Sequence, residues 1–200
     1  MKNQILVVLV TIATLAISPM ASVFAASNDA LEIDKAVVDT SSDEVNAILK
    51  AHGHISTNGK DGAFGYGILT DKGLSAVIVS TTHKGVLDSA EQNGKNDPVW
   101  HNHFVTLQAN SEECGNDLKV KKITYQSPGD VNIKGKVASL TNIPDRFTGT
   151  DALSNKKLTL TPGTDVDDVV SFELSPQFDG NKLTAVCVTN IQSADDVIVN

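Results

Sequence analysis

Short runs rich in Val, Ile, Thr and aromatic residues follow one another along almost the whole chain, and turn residues close each run. "LEIDKAVV" and "AILKAHGHIS" are followed by the turn "TNGKDG", and "AFGYGILT" by the turn "DKG". "LSAVIVSTTH", "VWHNHFVTLQ", "LKVKKITY" and "VNIKGKVASL" come next, then "KLTLT", "DVVSFEL", "KLTAVCVTNI" and "DVIV". Period-two runs bounded by Gly, Asn, Asp and Pro read as strands, and no long helical pattern alternates with them. This pattern predicts an all-β fold, an antiparallel β-sandwich or barrel of about ten short strands. One stretch fits two periods. In "SSDEVNAILKAHG", Ser41 and Glu44 have capping-box spacing, and Val45, Ile48, Leu49 and His52 have helical spacing. Val45, Ala47, Leu49, Ala51 and Ile55 also alternate as a strand would. One short helix near 42–52 therefore stays open, with a strand preferred over its second half.

The N-terminus has another character. Lys2, the apolar run "ILVVLVTIATLAI" and the small-residue end "SPMASVFA" make the three-part pattern of a secretory signal peptide over residues 1–25. The apolar run is shorter than the ~20 residues that a spanning helix needs. The expected mature chain, 26–200, is one β-sandwich domain, secreted or held in the cell envelope, with no membrane span after cleavage. The formal net charge of −8 argues against nucleic acid, which asks for a basic footprint. Cys114 and Cys187 are the two cysteines, and in an oxidising compartment an even pair reads as a disulfide. A loop of that length stabilises by roughly 4 kcal/mol on the chain-entropy model.

The five histidines all fall in one quarter of the chain. "AHGHIS" holds His52 and His54, "STTHKG" holds His83, and "PVWHNHF" holds His101 and His103. On a strand, residues i and i+2 share a face. Two His-x-His strands that meet could place four imidazoles around one cation, with His83 as a further ligand or a supporting partner. Imidazole nitrogen suits copper and zinc, whereas calcium and magnesium want oxygen. Both methionines, Met1 and Met20, lie in the signal segment, so a copper site with an axial methionine is not expected. The bland alternative puts His52 and His54 on a solvated face with Asn46, Lys50 and Ser56. His101 and His103 instead share a face with the apolar Val99, Val105 and Leu107, where a buried imidazole needs a partner.

Catalysis has less support. Asp61, Asp88, Glu91 and Asp97 could each serve as a carboxylate base, and each also suits an ordinary loop. No His-Glu-x-x-His, Gly-x-Ser-x-Gly, Walker or dinucleotide motif is present. "HGHISTNGKDGAFGYG" resembles the His-x-His segments of copper–zinc superoxide dismutases, themselves β-sandwiches, over a few residues. Counterparts of that family's bridging histidine, zinc aspartate and active-site arginine cannot be placed, since the one arginine is Arg146. The cupin pattern of spaced Gly, Glu and a third His is also missing, and the chain is assigned to neither family.

The favoured expectation is a secreted protein that binds copper or zinc through these histidines. One alternative is a non-catalytic extracellular assembly subunit of an envelope or filament, a homo-oligomer whose leader strand completes a neighbour's sheet. A second is a metal-dependent extracellular enzyme. A third places a ligand in a groove lined by Phe64, Tyr66, Trp100 and Phe104.

Overall fold

In the computed structural model, residues 29–200 are described; the expected signal peptide, 1–25, lies outside them. Thirteen strands are present among the described residues. Strands β1 (Ile33–Asp39), β2 (Glu44–Ala51), β7 (Asp130–Lys134), β8 (Val137–Pro144) and β13 (Val197–Val199) form one sheet, in the order β13-β1-β2-β8-β7. Strands β3 (Phe64–Thr70), β4 (Val77–Thr82), β5 (His101–Gln108), β6 (Leu118–Ile123), β11 (Val166–Asp179) and β12 (Lys182–Ser193) close into a barrel. A two-stranded ribbon, β9 (Phe147–Thr150) and β10 (Lys157–Leu160), completes the set. The fold is all-β, combining the two architectures expected.

The ambiguous segment 42–52 resolves against a helix. Glu44–Ala51 is β2, with Val45, Ala47, Leu49 and Ala51 buried. Period two wins because those four residues face the core while β1 and β8 hydrogen-bond the strand on both sides. A helix would have placed the same residues on all sides. The leader run is equally committed: β1 pairs with β2 antiparallel and with β13 in parallel. It is a strand of this chain's own sheet, which leaves the donor-strand reading without its strand.

Two apolar cores result, and the barrel wall separates them. Its outward residues Phe64, Tyr66, Ile68, Ile78 and Phe104 pack against Ala36, Val38, Leu49 and Leu140 of the open sheet. Its inward residues, among them Val77, Val79, Val105, Val120, Val170 and Phe172, fill the barrel. Strands with a core on each side are buried at every position, which is why β4 is the unbroken run "VIVSTT" and not an alternation. Gly65 follows from the same crowding. A Cβ there would lie 2.4 Å from the Ser80 carbonyl and 2.9 Å from the Phe172 ring. Trp100, Tyr66 and Phe64 are core residues, with Trp100 stacked on Tyr66 at 5.7 Å and donating from Nε1 to Ser56 O at 2.9 Å. Their groove reading gives way to packing.

The disulfide Cys114–Cys187 is present, with Cα atoms 5.6 Å apart. No helix of the described residues is long and apolar enough to cross a membrane.

Candidate metal centre

Strand β5 begins with four consecutive residues, His101 to Phe104, that have no exposed surface. Alternation sends Asn102 and Phe104 outward toward the open sheet and His101 and His103 into the barrel. The next strand supplies a third imidazole. Thr81 of β4 is in register with His101, and two residues on, His83 is buried at the barrel's end. The loop after it folds back and delivers Asp88. Gln92 holds that loop: its Oε1 accepts from the backbone N–H groups of Asp88 and Ser89 at 3.0 and 3.2 Å, and its Nε2 donates to Val86 O at 3.2 Å.

The three imidazoles converge on one carboxylate oxygen. Asp88 Oδ1 lies 3.2 Å from His83 Nε2, 3.4 Å from His101 Nε2 and 3.8 Å from His103 Nε2. The donor atoms of His83, Asp88 and His101 all lie within 4.8 Å of one another, so this group could hold a metal ion. His103 stands at its edge, against Asp88 and His101. Donors ~2.1 Å from a tetrahedral ion would be roughly 3.4 Å apart, the spacing found around Asp88 Oδ1.

Protons are placed to suit. His101 Nδ1 donates to Val99 O at 2.8 Å and His103 Nδ1 to Thr124 O at 2.6 Å. Each bond fixes the tautomer and leaves the Nε2 lone pair facing the cluster. Those two Nε2 atoms, His83 Nε2 and Asp88 Oδ1 are buried and make no well-formed hydrogen bond. Buried polar atoms are normally satisfied, so four orphans pointing at one spot are a specific anomaly.

Burial is the largest influence on Asp88 and would raise its pKa, but the close imidazoles of His101, His83 and His103 carry it below the usual carboxylate range. Burial also dominates at His103 and pushes the imidazole down to about 4, against the pull of Asp88. An unfolded histidine titrates near ~6.5. Between these values the unfolded chain binds a proton that the folded chain refuses, so the metal-free protein should lose stability as pH falls from about 6.5 to 4. The full loss is of order 3 kcal/mol. Denaturant midpoints of metal-free protein at pH 7 and pH 4.5 test this, with His103→Gln expected to flatten the dependence. Equal wild-type midpoints would refute it.

The other expected ligands are elsewhere. His52 follows β2 in the open sheet, is exposed, and pairs its Nδ1 with Asp34 Oδ1 at 3.2 Å; His54 is exposed in the irregular segment beyond. Neither belongs to the cluster, because β2 ends at Ala51 and belongs to the sheet outside the barrel. The resemblance drawn from "HGHISTNGKDGAFGYG" thus rests on a pair the fold leaves on the surface. Replacing both by alanine should leave metal affinity unchanged and stability within about 0.5 kcal/mol, as titration calorimetry and a melt would show. Among the carboxylates, Asp97 caps backbone N–H groups of Asn93 and Val99, and only Asp88 joins the cluster. Asp88 as a ligand and Gln92 as its support had no local signature that set them apart from neighbouring loop residues.

Compared with protein-family models, curated proteins and solved structures, the chain matches none.

Proposed function

We propose that this is a secreted metal-binding protein whose site is His83, Asp88, His101 and His103, and that the metal is zinc or copper. One observation carries the reading: three imidazole nitrogens and a carboxylate oxygen, all buried, converge without hydrogen-bond partners. Without a cation, these atoms have only their contacts with one another in place of the water they have lost. Three borderline nitrogen donors and one oxygen suit zinc or copper, and they leave calcium or magnesium short of oxygen ligands. Export is supported by the disulfide, which belongs to an oxidising compartment, and by the signal-like N-terminal sequence. The function proposed is binding, with no reaction assigned.

Elemental analysis of protein purified without chelators is the test, run beside His101→Ala/His103→Ala. Near-stoichiometric zinc or copper, lost in the variant, is the expected result. Iron in the same ratio would keep the site and replace the metal. No metal in either sample would overturn the reading.

A further inference from the structure

The cluster opens onto the barrel's interior. A cavity of about 80 Å³ runs through it, and Asp88 and His103 are among its lining residues. Every other lining residue is apolar, a glycine or Thr81, so these two are its only ionisable groups. Register fixes the direction. Thr81 lies beside His101, Val79 beside His103 and Val77 beside Val105, so the cavity leads away from the cluster along β4. Four residue steps of strand, from Thr81 to Val77, span roughly 13 Å. At the far end Leu69, Leu74 and Leu107 contribute to the lining.

Charge decides what such a cavity would hold. A divalent ion beside one aspartate and neutral imidazoles keeps a net charge of +1, in a compartment with no second anion to offset it. An uncompensated buried charge is costly. A monoanionic head group would neutralise it, and the apolar walls beyond would accept a hydrocarbon tail. Volume limits the tail's size: 80 Å³ is several times the ~10–15 Å³ that a cavity needs to admit one water, which is room for a short alkyl chain. The chain's net charge of −8 slows an anion's approach, but it acts across solvent where salt screens it.

We infer that the barrel binds a short-chain amphiphile with a monoanionic head, such as an alkyl carboxylate, its head taking a fifth position on the metal beside the four protein ligands and its tail running along β4 between Val79, Val105 and Val120. This rests on the metal reading of the same cluster, and the experiment separates the two. Zinc-loaded protein is titrated calorimetrically with acetate, propanoate, butanoate and pentanoate, and the series is repeated on metal-free protein and on zinc-loaded Val79→Phe. Each added methylene should tighten binding roughly fourfold, on the order of fifty-fold from acetate to pentanoate. The metal-free protein should bind none of the series. Val79→Phe should keep zinc and acetate and lose the gain with chain length. Zinc uptake with equal affinity for acetate and pentanoate would overturn the amphiphile inference and leave the metal site standing. Pentanoate binding equally well without zinc would overturn the placement of its head. Failure to take up zinc, copper or iron would overturn the metal reading, and this inference with it. Because the length series uses the wild-type protein, it decides the matter even where Val79→Phe does not fold.

Discussion

Zinc added to the metal-free protein should raise its thermal midpoint by roughly 8–16 °C. An ion that binds only the folded state, at a thousand times its dissociation constant, stabilises by about 4 kcal/mol. In a domain of this size each 1 kcal/mol moves the midpoint by about 2–4 °C. The folded state has the means to respond, since His83 Nε2, His101 Nε2 and Asp88 Oδ1 are orphaned and close together. Asp88→Asn should remove most of the shift. It keeps the shape of the side chain but replaces a carboxylate with an amide, so the cation loses its one anionic ligand and must be buried uncompensated. The metal-free variant should be somewhat less stable than wild type, because the neighbouring imidazoles hold the Asp88 pKa below the ordinary range, and so the folded protein favours the carboxylate that the amide replaces. A variant melt that still rose with zinc as the wild type does would exclude Asp88 as a ligand. A wild-type midpoint indifferent to zinc, copper and iron would exclude the site.

How far the site could be read from sequence depends on the range of the signal. The pair His101 and His103 stood out because an i, i+2 repeat sits inside an apolar strand row with Val105 and Leu107, and the barrel interior is where that row goes. His83 could be placed near them because β4 and β5 are neighbours in the chain's order and in the sheet. His52 and His54 formed an equally good pair by spacing, and spacing does not say which of two sheets a strand will join. Asp88 was a further step removed. Its position depends on a loop fixed by Gln92 through backbone contacts, and a loop conformation of that kind has no periodicity to read. The strands themselves were legible because alternation and turn residues are local. That six of them close into a barrel while five others cover one wall follows from long-range pairing, such as β11 with β3, which no short window contains.

Removing the disulfide should cost the protein about 4 kcal/mol, and the damage should concentrate at one seam. The bridge spans 73 residues of sequence, which on the chain-entropy model gives a loss of that size. Its place in the fold suggests a second, local effect. The barrel closes where β12 meets β6, and that seam holds only the pairs Cys187↔Lys119 and Val188↔Leu118. By contrast β11 and β12 are paired from Val170 to Asp179. Cys187 lies in the seam, and Cys114 sits in the turn that leads into β6, so the bridge fastens the barrel at its shortest ladder. Reduction, or Cys114→Ala/Cys187→Ala, should lower the denaturation free energy by about 4 kcal/mol and free the seam to open below the global transition. Amide hydrogen exchange would detect this as lost protection at residues 118–119 and 187–188, while β3 and β4, paired along their length, stay protected. The donors of the metal cluster come from β5, the end of β4 and the loop between them, so zinc binding should outlast reduction. The gain with alkyl chain length should not, because Val120 and Val188, which flank the seam, line the cavity. Uniform loss of protection across all barrel strands would show that the bridge acts on the unfolded chain alone and that the seam needs no fastening.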